Sequence, residues 1–427
     1  MIKAKFHLLF YFFFLILYFI SCTSGPPCGP LSLSADFSGL VTGRITTPEE
    51  YALVDSLGAS WLLATFRWNL LEKTEGQWDF STYDKFADAA NADGKKIIGI
   101  MGYDVPWIHD NPNSPRYIPP DKLHYFLNYV RETALHYRGK VGAWCIWNEP
   151  NFGDNWVGDR NDFFELTRQA AAVIREADPD VIILGGGFNR GIIGMPVKYI
   201  RGLFESGAMN QADAVAFHPY ELNPDRTAKL YRAFRSIVAD YGFAERIWIT
   251  EIGYPTGGWY PTAVSEKRFP EYIVKTYVNL AINGAKRVFI YQLFDPAERE
   301  KRNSEDYFGL VRSKSDYTSK GAEAFRLCAV YLSGTEYYPD LPKRKGLPKS
   351  LKAFYFSGSV NSEEGGTLVL WKKGIPVKLN FQYGGTYFIH NPVSGETFEH
   401  TGESPVTIGK TPVIITWNGE DQIIVKR

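Results

Sequence analysis

Short, almost unbroken apolar runs alternate with amphipathic stretches along most of this chain. The runs are FSGLVTGR (37–44), WLLATFRW (61–68), KIIGIMGYD (96–104), GAWCIWNEP (142–150), VIILGGG (181–187), AVAFHPY (214–220), RIWITEIGY (246–254) and RVFIYQLFD (287–295). Runs this short, apolar at consecutive positions, predict strands covered on both faces, as in a parallel sheet. Helical spacing fills the gaps. Thr47-Pro48-Glu49-Glu50 supplies an N-cap, a first-turn proline and a capping-box glutamate. Eight strands alternating with helices predict an α/β chain folded as a (β/α)8 TIM barrel over residues 35–335. An open doubly wound sheet would need a Gly-rich phosphate loop after its first strand. LGGGF (184–188) matches neither GxGxxG nor GK[ST] and reads as tight packing at a strand end.

From about residue 340 the texture changes. LKAFYFSG, TLVLWKKG, VKLNFQYGGTYFIHNP and PVIITWNG are short strand-like runs separated by Gly, Asn and Pro. They predict a small C-terminal all-β sandwich domain over 340–427, which covers the barrel or binds sugar.

The other end carries a targeting pattern. Lys3 and Lys5 precede the apolar run FHLLFYFFFLILYFI, and Ser21-Cys22 follows. This is the order of a secretory signal, too short for a membrane span, so residues 1–22 are expected to direct export. Cys22 is either the lipid-bearing residue of a bacterial lipoprotein or a residue beside a plain cleavage site. The expected location is therefore secreted, or lipid-anchored to the bacterial cell envelope. Residues 23–34 read as a spacer. Cys145 and Cys328 fall in apolar runs, and no CxxC or Cys/His cluster suggests zinc or a disulfide framework.

Composition narrows the function classes. Lys plus Arg equals Asp plus Glu at 47 each, which gives no support for a nucleic-acid partner. Aromatic residues make up 15 %, with 11 Trp and 26 Tyr. Most belong to a core, but flat rings also stack on sugar faces. No oligomerisation pattern stands out, and a monomer is expected.

Two glutamates end strands in the same way. In IWNEPN, Glu149 follows the fourth strand and Pro150 stops it; in WITEIGYPT, Glu251 ends the seventh, with Gly253 and Pro255 beyond. A buried strand end is a costly place for a carboxylate unless it is used. In a barrel both would project into one cleft at the C-terminal mouth, where catalytic groups collect. Two facing carboxylates are the minimal apparatus of glycoside hydrolysis, one protonated for the leaving oxygen and one ionised for the anomeric carbon.

IWNEPN, FHPY and WITEIGYPT, in this order and spacing, resemble the retaining glycoside hydrolases of clan A. Glycoside hydrolase family 39 and its bacterial exopolysaccharide-processing relatives are the most similar group, although families 5 and 42 share parts of the pattern. WNLLEKTEGQWDFSTYDKF (68–86) and YFGLVRSKSDYTSKGAEAF (307–325) also look like segments of that group. The resemblance implies that Glu149 is the acid/base and Glu251 the nucleophile of a double displacement on a β-linked oligo- or polysaccharide. It implies that Asn148 hydrogen-bonds the sugar 2-hydroxyl, and that His218 and Tyr220 orient the nucleophile. Tyr291 and Gln292 would line the subsite floor, and Tyr103, Asp104, Trp107, Trp156, Tyr254 and Trp259 would be sugar contacts or stacking surfaces. This chemistry requires no cofactor and no metal.

Two departures stand out. Where relatives carry an arginine on the second strand this chain has Leu63, and Arg67, on the same alternating face, is the candidate to keep Glu251 ionised. Ile290 replaces a tryptophan on the eighth strand. They leave open a second reading, a catalytically weak or silent polysaccharide-binding surface lipoprotein.

Overall fold

The computed structural model describes residues 29–427 except 111–115, 191–193, 260, 262, 340–346, 361–362, 420–422 and 427. The export segment, Cys22 and the first part of the expected spacer lie outside the described residues. Among the described residues no helix is long and apolar enough to cross a membrane.

Eight parallel strands close into a barrel. They are β1 (Ser38–Val41), β2 (Trp61–Arg67), β3 (Lys96–Gly102), β4 (Ala143–Ile146), β5 (Ile182–Asn189), β6 (Ala214–His218), β7 (Ile247–Ile252) and β8 (Arg287–Tyr291). Each strand leads to a helix: α1 (Pro48–Ser56), α2 (Ser81–Ala92), α3 (Leu123–His136), α4 (Arg160–Ala177), α5 (Val197–Glu205), α6 (Pro224–Ala239), α7 (Phe269–Ala281) and α8 (Ala322–Leu332). The capping box read from sequence starts α1: Glu50 N–H donates to Thr47 Oγ1, and Thr47 N–H to Glu50 Oε2.

The continuous apolar runs have two jobs. One parity of each strand fills the barrel: Val41, Leu63, Ile100, Cys145, Leu184, Ala216, Trp248 and Phe289 form a separate interior cluster. The other parity, including Leu62, Phe66, Ile146 and Ile249, packs outward under the helices. Small residues at 143, 214 and 216 make room for Trp61 and Trp248, whose rings meet edge-on at 5.2 Å. At the N-terminal end of the barrel, Asp36 gathers Lys96 Nζ at 2.6 Å, an Arg287 nitrogen at 2.7 Å and Trp61 Nε1 at 3.2 Å.

The expected C-terminal β domain is an antiparallel sheet. Its strands are β9 (Glu336–Tyr338), β10 (Leu351–Val360), β11 (Glu363–Lys372), β12 (Val377–His390), β13 (Thr397–Ile408), β14 (Val413–Asn418) and β15 (Ile424–Lys426). They are joined in one hydrogen-bonded sheet that folds over its own core. Along one edge, β12 pairs with β15 at 380–382 and with β14 at 387–390, with a register shift near Tyr383 on the opposite edge. Alternate residues of β11 face different cores: Leu368 and Leu370 the domain's own, Val369 and Trp371 the barrel's. The two bodies are tied by polar contacts too. Lys275 on α7 donates to the Lys410 carbonyl, and Thr367 to the Tyr331 carbonyl.

One part of the expected spacer is structured. Leu31 and Ser32 pair with Tyr337 and Glu336, adding a short outer strand to this sheet. Leu31 packs against the barrel core as it does so, which a flexible spacer would not.

Candidate active site

The catalytic candidates are set by irregular backbone at the ends of β4 and β7. Past Ile146 the chain turns through two left-handed residues, Trp147 (φ 65°) and Glu149 (φ 49°). Each such non-glycine conformation costs about 1–3 kcal/mol and persists only where surroundings enforce it. Here Trp147 N–H bonds to Met101 O at 2.9 Å, and Glu149 N–H to Gly187 O at 3.0 Å. The Trp147 ring is fully buried against Tyr103, Phe126 and Trp156, and its Nε1 donates to Asn155 O. Gly187 itself adopts φ +56°, where a side chain would be strained.

On β7 the pairing register with β8 shifts between Ile249 and Ile252. Strict alternation would send Thr250 inward and Glu251 outward. The irregularity re-aims the strand, so that Thr250 reaches His218 and Glu251 reaches the cleft.

The two carboxylates meet around one imidazole. His218 Nδ1 lies 2.6 Å from Glu149 Oε1 and 3.6 Å from Glu251 Oε2, and Nε2 faces Thr250 Oγ1 at 2.8 Å. One proton must lie between Nδ1 and Oε1 at that distance. Tyr220 donates to Glu251 Oε2 at 3.1 Å, the contact expected of it. His218 is nearer to Glu149 than to Glu251, the residue it was expected to orient. Asn189, at the end of β5, donates to Glu149 Oε1 at 2.8 Å. It is clamped by Asn151, which exchanges two hydrogen bonds with its backbone.

The electrostatics follow from burial. Loss of water raises Glu251 to about 7; the Glu149 charge adds to this, while His218 and Tyr220 oppose it. Burial works against the His218 imidazolium, but the two facing carboxylates outweigh it and raise its pKa. A third acid stands nearby. Glu305, in the long segment after β8, is raised by burial and by the Glu149 charge, and accepts from Tyr291 at 3.2 Å.

The other expected contacts have these surroundings. The Tyr103 ring packs edge-on to Trp147 and under the Arg116 guanidinium at 4.4 Å, and burial raises its hydroxyl pKa. Tyr291 and Gln292 line an open cavity of about 620 Å³ with Thr42, Asp295, Glu305 and Asp306. Asp104 is partly buried and paired with His109 at 2.8 Å, and burial raises its pKa. Trp107 is half-buried, with Nε1 donating to Glu72 O and its ring edge-on to Trp68. Trp259 is 77 % exposed on the loop after β7.

Three expectations are corrected. Tyr254 is wholly buried and bonds Thr227 and Thr276, so it ties α6 to α7 and meets no sugar. Trp156 is buried, with Nε1 spent on Asp159 O, and serves as a prop for Trp147. Arg67 is exposed at the end of β2 and is not the cation that favours ionised Glu251; that group is His218. Asn189, Thr250 and Glu305 were not found from sequence. Asn189 ends a strand as Glu149 does, so the same rule applied to β5 would have found it; nothing local marks Glu305. Nor does spacing in the sequence reveal that Glu149, His218 and Glu251 bring three ligand atoms within 4.8 Å of one another.

The sequence profile described as glycosyl hydrolase family 10 matches residues 64–185, from β2 to β5. The chain is 28 % identical over 126 residues to endo-1,4-beta-xylanase A of Phanerodontia chrysosporium, covering 27 % of this chain and 29 % of that one. It is 23 % identical over 209 residues to endo-1,4-beta-xylanase B of Thermotoga neapolitana, covering 45 % and 57 %. It thus spans less than two thirds of these curated relatives. A family 39 glycoside hydrolase from Bacteroides cellulosilyticus superimposes with a TM-score of 0.71 at 16 % identity, over 90 % of this chain and 81 % of that one. A family 39 beta-xylosidase from Caulobacter crescentus gives 0.66 at 15 %, over 92 % and 98 %. Such structural likenesses speak for the fold. Over residues 64–185 this chain is thus similar in sequence to glycosyl hydrolase family 10, and over nearly its whole length its fold is that of the family 39 glycoside hydrolases.

Proposed function

We propose that this protein is a glycoside hydrolase that cleaves β-linked sugars with retention of anomeric configuration. The observation that carries this reading is the convergence of Glu149 and Glu251, from β4 and β7, with carboxylate oxygens within 4.8 Å of each other. Retaining enzymes hold their carboxyl groups about 5–5.5 Å apart, whereas inverting enzymes need about 6.5–9.5 Å to admit a water. The approach of single oxygens to within 4.8 Å is on the short side of that divide, which favours direct attack by a carboxylate.

In this mechanism Glu251 attacks the anomeric carbon and Glu149 protonates the departing oxygen. Glu149 then takes a proton from the water that releases the sugar. His218 sits where it exchanges a proton with Glu149 Oε1, and Tyr220 holds Glu251 Oε2 for attack. Asn148, next in the chain to Glu149, is assigned the sugar hydroxyl beside the bond that breaks. The named xylanases and xylosidase make β-1,4-xylo-oligosaccharides the first substrates to try. The charged, apolar and small-residue order of residues 1–22 supports an exported protein, with Cys22 as the lipid-bearing residue if it is anchored.

The test is a panel of aryl β-glycosides and β-linked oligosaccharides, followed by NMR of the first-formed anomer. Turnover with retention, lowered about 10²–10⁴-fold or more in Glu251→Gln, is expected. Inverted product, or turnover untouched by the substitution, refutes the assignment.

A further inference from the structure

We propose that Glu149, His218 and Glu251 also form a binding site for a borderline divalent cation such as Zn²⁺, which takes the place of the reacting sugar and blocks turnover. The binding rests on geometry alone; the inhibition rests on the glycosidase reading above.

One oxygen from each carboxylate and one imidazole nitrogen lie within 4.8 Å of one another. Zinc bonds to such atoms measure about 2.0–2.2 Å, so neighbouring ligands of a tetrahedral ion stand roughly 3.4 Å apart. His218 Nδ1 and Glu251 Oε2, at 3.6 Å, already match that edge. Glu149 Oε1, at 2.6 Å from the same nitrogen, has to swing back by roughly 1 Å to reach the same spacing. The two carboxylate oxygens, within 4.8 Å of each other, must settle to the same spacing.

The surroundings resemble those of a ligand histidine. Metal-binding imidazoles usually engage their second nitrogen with an outer partner that fixes the ring, and Nε2 of His218 faces Thr250 Oγ1 at 2.8 Å. Charge favours occupation as well. Among the described residues His218 is the basic group found within 4 Å of either carboxylate, no lysine or arginine stands between them, and the ion would displace the proton that His218 shares with Glu149. A doubly charged ion would neutralise both where water screens them poorly. Three protein ligands with a fourth position open to water is an arrangement zinc accepts. Magnesium and calcium require six or more oxygen ligands and fit it poorly. Because an ion bound at Glu251 Oε2 would occupy the cleft face of the carboxylate that must attack the sugar, metal and substrate exclude each other.

The test uses the purified wild-type chain, with Co²⁺ as a spectroscopic probe and Zn²⁺ titrated by calorimetry. One equivalent is expected, with visible cobalt bands displaced by zinc and left unchanged by equal Mg²⁺ or Ca²⁺. Glu251→Gln and His218→Gln should each weaken zinc binding by at least about tenfold. Anomalous diffraction at the zinc edge from soaked wild-type crystals locates the ion without relying on a variant that fails to fold. A peak among the three side chains supports the site. A peak only elsewhere, for example at His109 and Asp104, overturns it. Competitive inhibition of glycoside turnover by zinc is expected; full activity with the site loaded overturns the inhibition. A protein that binds zinc there but turns over no glycoside refutes the glycosidase reading instead, and leaves the metal site standing.

Discussion

His218 holds Nδ1 2.6 Å from Glu149 Oε1 while Nε2 faces Thr250 Oγ1 at 2.8 Å. The ring is therefore engaged with Glu149, and it reaches Glu251 only at 3.6 Å. If it serves mainly to manage the Glu149 proton, its loss should matter only where the leaving group needs that proton. His218→Gln is expected to lower kcat/KM about 10²-fold on alkyl or sugar leaving groups. Dinitrophenyl glycosides, whose leaving groups depart unprotonated, should lose much less. Equal losses on both substrates would place the role on Glu251 instead.

The Glu251 carboxylate, raised to about 7 by burial and by the Glu149 charge, gives a second expectation. Attack requires the ionised form, so kcat/KM should fall as pH drops below about 7. Stability should run the other way. The folded state binds this proton more tightly than the unfolded chain, whose glutamates titrate near 4.5. The stabilisation is thus full below that value and is lost as pH rises through about 7. Glu251→Gln removes the penalty. Thermal melts should show the variant more stable than wild type at pH 8, with the gap closing toward pH 4.5; a gap independent of pH would contradict this.

At the opposite end of the barrel the sign reverses. Burial disfavours the Asp36 anion, but Lys96, Ser34 and Arg287 outweigh it and hold the group down at about 2. Its contribution is present above the ordinary aspartate range and is lost as pH falls from about 4 to 2. Asp36→Asn should cost about 2 kcal/mol at pH 7, and the difference from wild type should vanish in acid. Denaturant melts at pH 7 and pH 3 check this, roughly half of the difference remaining at pH 3, and catalysis should be unaffected because the residue lies at the far mouth of the barrel.

Much of the barrel was legible because buried parallel strands leave a strong mark. WLLATFR and KIIGIMG are apolar at consecutive positions since one parity fills the barrel and the other meets the helices. Glu149 and Glu251 were legible for the complementary reason, as carboxylates interrupting such runs. The roles of aromatic residues beyond the strand ends were less legible. Trp156, Tyr254 and Trp259 all follow a strand, yet one props Trp147, one bolts two helices and one is exposed. Which role each takes depends on loop paths closed by distant residues. Glu305 was hidden because it comes from a long segment whose position is set by tertiary contacts. The strand at Leu31–Ser32 was hidden because two residues carry no periodicity, and its partner lies some three hundred residues away.

Trp259 is the clearest case in which exposure and backbone constraint combine. The two glycines before it are pressed against the segment that carries Glu305. A Cβ on Gly257 would fall 2.5 Å from the Tyr307 ring, and one on Gly258, at φ +77°, only 2.2 Å from Ser304 Oγ. The loop is therefore pinned while the indole itself stays open to solvent, an arrangement that suits a stacking surface beyond the reacting sugar. Trp259→Ala should leave the melting temperature unchanged and leave kcat/KM on small aryl glycosides nearly so. On longer oligosaccharides KM should rise up to about tenfold, since an aromatic stacking contact is worth about 0.5–1.5 kcal/mol. Gly258→Ala should instead disturb both substrate classes by displacing the loop that follows Glu251. A uniform loss on short and long substrates in Trp259→Ala would show that the ring holds the loop and does not meet the sugar chain.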